Sequence, residues 1–114
     1  MEITTAKNKI EYSEIVKTIL KEVEVEKVIL FGSRARGDDK PESDLDLLII
    51  QKNDFSKSKS RWDETIKIRK ALKNYMISKD ILLFSESEVN YWKDSLNHII
   101  PTCLKEGKVL YARS

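Results

Sequence analysis

The chain has 114 residues, of which 40% are hydrophobic and 35% charged. This composition is typical of a globular domain and excludes a membrane-spanning or disordered chain, so we expect one domain over residues 1–114. The formal net charge of +2 is too small to favour direct nucleic-acid binding. The single cysteine, Cys103, excludes an intramolecular disulfide, and the N-terminus does not resemble a signal peptide. We therefore expect a cytoplasmic protein without membrane association.

Hydrophobic periodicity predicts helices and strands in the order α-β-β-α-β-α-β. The predicted helices cover residues 11–23, residues 58–76, and a segment that starts at Ser85 or Ser87 and is kinked or restarted at Pro101. The predicted strands cover residues 26–31, 44–50 and 80–84, with "KVLY" after Gly107 as a candidate edge strand. The predicted fold is α/β (α+β), with a small mixed sheet of three to four strands and helices packed on it.

Two apolar sets are predicted to face the core. In the long helix the set is Trp62, Ile66, Ile68, Leu72, Tyr75 and Met76, and in the last helical segment it is Val89, Trp92, Leu96, Ile99, Ile100 and Leu104. Cys103 is expected to be a small buried hydrophobe, and His98 a structural or exposed residue. Residues 52–79 contain nine basic and three acidic residues, a bias that indicates a solvated face or a docking surface for an acidic partner.

The stretch "LFGSRARGDDKPESDLDLLII", residues 30–50, carries the candidate chemistry. Side chains alternate along a strand, so Asp44 and Asp46 project from the same face. Two carboxylates on one face suit Mg²⁺, which uses one or two protein carboxylates and fills its other positions with water and substrate phosphate. Bound metal would also relieve the repulsion between the two acids.

The Gly32–Ser33 turn ends the preceding strand and is a candidate phosphate site. Backbone N–H groups at such a turn bind anions, and the Ser33 hydroxyl adds a donor. Either Arg34 or Arg36 could contact a polyphosphate, with a weak preference for Arg36. If the two strands are neighbours, the turn and the carboxylates face one space that would accommodate a nucleoside triphosphate bridged by metal.

"GSRARGDDKPESDLD" has Gly-Ser, ten residues and then Asp-x-Asp, and it resembles the signature of the nucleotidyltransferase superfamily that includes DNA polymerase β. The "SDLDLLI" context is similar to the minimal nucleotidyltransferase (MNT) branch. That family has a third carboxylate on a later strand, and the candidate is Asp80 in "KDILLFS". The preceding residue is usually apolar in the family, whereas here it is Lys79.

The resemblance implies the nucleotidyltransferase fold and two-metal phosphoryl transfer. It implies that Asp44 and Asp46 bind two ions, Mg²⁺ in the simplest case, and that Asp80 helps to hold one and activates the attacking hydroxyl. It further implies AMP transfer from ATP to a hydroxyl of a HEPN-type toxin that is encoded by the neighbouring gene, with this chain as the antitoxin. Two alternatives stay open: a non-catalytic module that masks its partner's surface, and a transferase for a small molecule such as an aminoglycoside.

Overall fold

The computed structural model describes residues 10–113 and contains a four-stranded sheet with helices on both faces. In chain order the elements are α1 (Tyr12–Glu22), β1 (Lys27–Phe31), α2 (Ser33–Arg36), β2 (Leu45–Gln51), α3 (Arg61–Ala71), β3 (Lys79–Ser85), α4 (Glu86–Trp92), α5 (Ile99–Glu106) and β4 (Lys108–Ala112). The predicted strands and the edge strand are confirmed, and the mixed α/β class is the one expected from the sequence.

The strand order is β3-β2-β1-β4. β1 pairs antiparallel with both β2 and β4, whereas β2 and β3 run parallel. β2 therefore lies in the middle of the sheet, and every residue in it except Asp46 is buried. A strand covered above and below needs apolar residues on both faces, which explains the run "LLII" that follows the acidic residues.

The two faces of the sheet carry separate cores. α1 and α3 cover one face, where they pack on side chains such as Leu30, Leu47 and Ile81. α4 and α5 cover the other face, where Ile100 and Cys103 pack on Phe31, Leu48 and their neighbours. Asp46 has the same strand parity as Leu48, so its side chain is directed to the face that α5 covers.

α3 is shorter than predicted and buries a different stripe. Of the predicted core set, Ile68 and Leu72 are fully buried, but Trp62 is 71% exposed and Met76 is 94% exposed. Those two core predictions are wrong, because the buried line runs through Glu64, Ile68 and Leu72, which are spaced four residues apart.

Glu64 can occupy a core-facing position because the sheet supplies a polar partner. The Gln51 side-chain amide donates to Glu64 Oε1 at 3.0 Å, and Lys67 Nζ lies 3.2 Å from Glu64 Oε2. A carboxylate with hydrogen-bond partners can be buried, whereas an unpaired one is costly. The apolar pattern alone did not indicate this pair.

The last helical segment is split into two helices. The capping box predicted at its start is present, with Ser85 and Glu88 bonding each other's backbone N–H. Pro101 lies in the first turn of α5, where its missing N–H would have had no helical partner, so the predicted restart is confirmed. Between the two helices Leu96 is almost completely exposed, and in α5 Ile99 and Leu104 are each 41% exposed. The prediction that these three residues face the core is therefore wrong.

His98 has a structural role, as expected. Its Nδ1 accepts from the Ile100 N–H at 3.1 Å and caps α5, while its ring stacks on Trp92 with centroids 4.3 Å apart.

Between residues 10 and 113, none of the helices is both long enough and apolar enough to cross a bilayer.

Candidate active site

Three chain segments meet at one end of the sheet. β1 ends at Phe31, which pairs with Asp46 near the start of β2, and Asp46 in turn pairs with Asp80 near the start of β3. Because β1 runs opposite to the other two, its last residues lie beside their first residues. The topology therefore brings the Gly-Ser turn and the predicted acidic residues to the same end of the sheet, and β1 and β2 are the neighbours that a shared site would need.

Gly32 and the Asp46 carboxylate lie in direct proximity. Gly32 has φ +74°, a conformation that favours glycine, and a Cβ at this position would overlap Asp46 Oδ2. Glycine here serves two needs, since it makes the turn and leaves space for the carboxylate. Ser33 begins the short helix α2, whose first N–H groups have no partner within the helix.

Asp46 is the half-buried member of the acidic group, and Asp44 and Asp80 are exposed. Burial raises the pKa of Asp46, and the negative charges of Asp80 and then Asp44 raise it further. The positive charges of Arg34 and Arg36 act in the opposite direction but do not cancel the increase. Asp46 is thus close enough to Asp80 and Asp44 for their negative charges to act on it, which favours a bound cation.

Lys79 occupies the position where the family usually has an apolar residue. Its side chain is directed into the loop that precedes β3. Its Nζ donates to the backbone carbonyls of Tyr75 at 2.6 Å and Ile77 at 2.9 Å. Burial, and secondarily the charge of Arg69, lower the pKa of Lys79. Lys79 therefore anchors the loop, and the strand register still aligns Asp80 with Asp46.

Arg34 organises the loop that leads to the carboxylates. Its side chain is only 5% exposed, and its guanidinium donates to the carbonyls of Ser43 at 2.8 Å and Pro41 at 3.2 Å. It also pairs with Asp39 at 3.3 Å. Residues 38–44 are thereby tied to α2, a role that sequence reasoning missed, because no local pattern links an arginine to carbonyls up to nine residues away.

Arg36 has the more accessible guanidinium. Its side chain is 49% exposed and pairs with Asp38 at 3.3 Å, an arrangement that a ligand could displace. Of the two arginines, Arg36 has the guanidinium that solvent can reach, and its contact with a phosphate group stays a prediction.

Cys103 lies in the core behind the acidic group. Burial, followed by the charges of Asp46 and Asp80, raises the pKa of the Cys103 thiol to about 11. The thiol is neutral near pH 7 and fully buried, so it behaves as the small hydrophobe that was predicted.

The acidic group suits a hard cation without forming a complete cage for one. Within residues 10–113, no three His, Cys, Asp or Glu side chains are gathered so that they could hold a metal ion by themselves. Mg²⁺ needs only one or two protein carboxylates when substrate phosphates supply further oxygens. The oxygen donors and the raised pKa of Asp46 fit an ion that arrives with a nucleotide.

A Gly-Ser turn beside carboxylates at the end of a mixed sheet is the arrangement that the motif's resemblance to the nucleotidyltransferase superfamily implies. The family described as "Polymerase beta, Nucleotidyltransferase" matches residues 13–114. The chain belongs to this family and is a nucleotidyltransferase.

Two relatives from Methanocaldococcus jannaschii have the name "Putative protein adenylyltransferase". One is 41% identical over 73 residues, which cover 64% of this chain and 68% of the relative. The other is 37% identical over 91 residues, covering 76% and 79% respectively. The fold is also similar to a chain in the crystal structure of a toxin-antitoxin with AMP-PNP, with a TM-score of 0.60 and 18% identity, over 92% of this chain and 76% of that one.

Proposed function

We propose that this nucleotidyltransferase transfers AMP from ATP to a hydroxyl group of a partner protein, a HEPN-type toxin that it neutralises. The observation that carries the proposal is the convergence of Asp46 with Gly32 and Asp80 at one end of the sheet. Acids held close together beside a turn with free N–H groups suit a metal-bound triphosphate.

Asp44, Asp46 and Asp80 are the residues that would hold magnesium, in a two-ion arrangement. When bound, magnesium would neutralise the triphosphate and lower the pKa of the acceptor hydroxyl. The N–H groups and hydroxyl at Ser33 would bind phosphate oxygens, and Arg36 would add a positive charge to the same site.

The proposed reaction is an in-line displacement at the α-phosphorus of ATP. The acceptor hydroxyl oxygen forms a bond to that phosphorus, and the bond between the α-phosphorus and the bridging oxygen to the β-phosphate breaks. Pyrophosphate leaves, and the hydroxyl proton passes to the carboxylate of Asp80. The products are an AMP phosphodiester on the acceptor and free pyrophosphate, so the charges and atoms balance.

The choice of a protein acceptor is supported by the similar proteins. Two relatives are named protein adenylyltransferases, and a chain of similar fold comes from a toxin-antitoxin crystal structure. A small-molecule acceptor has less support. Two cavities, of about 380 Å³ and 490 Å³, include Arg113 and residues near the start of β1, at the end of the sheet away from Asp46.

The test is to incubate the purified chain with ATP, Mg²⁺ and the protein encoded by its neighbouring gene, and to measure the partner's intact mass. We expect an increase of one or more AMP units that EDTA abolishes. Asp44→Asn/Asp46→Asn should not produce it, whereas Asp63→Asn, an exposed acid at the opposite end of the sheet, should act like wild type. An unchanged partner mass with Mg²⁺ or Mn²⁺ would contradict the proposal.

The same variant pair tests the alternative of a binding module. If Asp44→Asn/Asp46→Asn neutralises the partner's toxicity as strongly as wild type, masking of a surface is sufficient and transfer is not needed. If neutralisation disappears while the complex still forms, the chemistry is the cause.

A further inference from the structure

Arg34 is a charged side chain in a buried position. It follows the Gly32–Ser33 turn directly, and its side chain is only 5% exposed. Charged side chains are rarely buried unless they are paired, and each nitrogen of this guanidinium has an acceptor. Nε and Nη2 donate to the Ser43 carbonyl at 3.2 Å and 2.8 Å. Nη2 also donates to the Pro41 carbonyl at 3.2 Å, and Nη1 donates to Asp39 at 3.3 Å.

These contacts join the two ends of the spacer in the motif. The spacer consists of the ten residues 34–43, which separate Ser33 from Asp44. Arg34 is its first residue, and Ser43, whose carbonyl accepts two of the bonds, is its last. The spacer is thus folded around the guanidinium, and Asp44 follows directly on the carbonyl that Arg34 holds.

The backbone at Arg34 is fixed to the Gly-Ser turn. The N–H groups of Ala35 and Arg36 both donate to the Gly32 carbonyl, each at 3.1 Å. The chain on either side of Arg34 is therefore wound into one tight turn with the glycine. A guanidinium attached to this turn sets the distance between the turn and the end of the spacer.

Asp44 lies between two anchored residues. On one side, Ser43 is bound by Arg34, and on the other side the Leu45 N–H donates to the Ser78 carbonyl at 2.8 Å. Asp44 itself is exposed, so packing does not orient its side chain. The position of its carboxylate consequently depends on the backbone of its two neighbours.

We propose that Arg34 is a positioning residue, which holds Asp44 beside the Gly32–Ser33 turn so that one metal-bound triphosphate contacts both. The use of a metal-bound triphosphate rests on the proposed function, whereas the hydrogen bonds of Arg34 do not depend on it. Arg34 itself does not touch the nucleotide. A group that orients a metal ligand changes metal affinity without contact with the ion.

A direct contact between Arg34 and a phosphate group fits the structure less well. The side chain of Arg34 is 5% exposed, against 49% for Arg36, and a phosphate would have to displace the bonds that hold the spacer. The two roles differ in their dependence on metal. A direct contact strengthens ATP binding with or without metal, whereas the positioning of Asp44 strengthens only the binding that needs metal.

The test measures ATP binding to the full chain by calorimetry, once with Mn²⁺ and once in EDTA. Arg34→Met keeps the length of the side chain and removes its donors. We expect it to weaken Mn²⁺–ATP binding by at least about tenfold, and ATP binding in EDTA by less than about twofold. Arg36→Met is the matched control, and it should weaken ATP binding by a similar factor in both conditions, because its charge acts on phosphate. Backbone amide exchange at Ser43 and Leu45 should become faster in Arg34→Met alone.

A conservative variant separates geometry from charge. Arg34→Lys keeps the positive charge but lacks the planar fork that reaches the Ser43 and Pro41 carbonyls together. It should recover only part of the Mn²⁺–ATP affinity that Arg34→Met loses. If thermal unfolding shows that Arg34→Met does not fold, Arg34→Lys decides the question by the same two titrations.

Wild-type affinity of Arg34→Met for Mn²⁺–ATP would overturn the positioning role, as would full recovery by lysine. Equal losses with Mn²⁺ and in EDTA would overturn it in favour of a direct phosphate contact. If Mn²⁺–ATP binding depends on Arg34 but wild type transfers no AMP to the partner protein, the proposed function fails while the positioning role stands. If wild type binds no Mn²⁺–ATP, both fail.

Discussion

The two ends of β2 both carry polar side chains, but only at the far end does the side-chain amide donate hydrogen bonds within the protein. At the far end, the buried Gln51 amide donates to the Glu24 carbonyl at 2.9 Å and to Glu64 at 3.0 Å. At the near end, Asp46 faces two other carboxylates and the backbone of Gly32. The central strand thus joins an end where its polar side chain is hydrogen-bonded to an end where acidic side chains lie close together.

The pKa values of the aspartates at the two ends of β2 are shifted in opposite directions. Hydrogen bonds from Ser87 and Ser85 lower the pKa of Asp54 at the far end, whereas burial and neighbouring negative charge raise the pKa of Asp46 at the near end. The first carboxylate has donors within the protein, and the second lacks enough of them. An acid whose charge the fold itself disfavours is a candidate for binding a cation or substrate.

The largest effect is expected from Asp46→Asn. Activity should fall by at least about 100-fold, because the proposed metal ligand, worth about several kcal/mol, would be lost. In metal-free buffer at pH 7 the variant should be as stable as wild type or more so, since the substitution removes repulsion. The measurements are kcat/KM for AMP transfer and thermal unfolding. A variant that keeps full activity would show that Asp46 does not serve the chemistry.

Two glycines allow a matched test of the near end. Gly32→Ala should lower the free energy of unfolding by about 1–3 kcal/mol and displace the Asp46 carboxylate, because φ is positive and the new Cβ would meet that side chain. Gly37→Ala has φ +86° but no atom within 4 Å of the new Cβ, so it tests backbone strain alone, at about 1 kcal/mol. Urea unfolding measures the backbone strain in both variants, and ATP binding measures the displacement of the Asp46 carboxylate. Only Gly32→Ala should weaken ATP binding.

At the far end of β2, Glu64→Ala should lower stability and leave activity nearly unchanged, which is the opposite of the result expected for Asp46→Asn. Removal of the carboxylate leaves the Gln51 amide with one partner fewer, and Gln51 Oε1 has none within residues 10–113. We expect a loss of about 1–3 kcal/mol in the free energy of unfolding and transfer activity within about twofold of wild type. An activity loss larger than the stability loss explains would indicate that the two ends are coupled.

The smallest expected effects are changes in the pH dependence of stability in metal-free buffer. Asp46 has a folded-state pKa above the ordinary value of 3.8, so its contribution to stability is present at low pH and is lost as pH rises through the raised pKa. Asp54 has a lowered pKa, so its contribution is present above 3.8 and is lost as pH falls. Asp46→Asn should remove the first dependence and Asp54→Asn the second, measured by urea unfolding across the acidic range. Parallel pH profiles for both variants would contradict the assignment.

Local signals predicted most of the elements. The Ser85–Glu88 capping box, the turn at Gly32 and the strand alternation around Asp46 each depend on residues a few positions apart. The motif spacing also predicted which acids to examine, and the structure aligns Asp80 with Asp46 although Lys79 departs from the family pattern.

Burial was harder to predict than element type. Trp62 and Leu96 were expected in the core because of their apolar character and spacing, yet both are exposed. Glu64 was not expected there, but Gln51 from another strand makes its burial possible. All the contacts of a helix together decide which of its residues face the core, and these contacts include residues that are distant in sequence.

The sequence by itself determined that a Gly-Ser turn and paired acids would be present, because turns, caps and alternation follow from neighbouring residues. Only the tertiary structure decided that Asp80 would align with Asp46 and that Arg34 would hold the loop beside them. Those relations depend on strand order and helix orientation, which arise from packing between segments far apart in the chain.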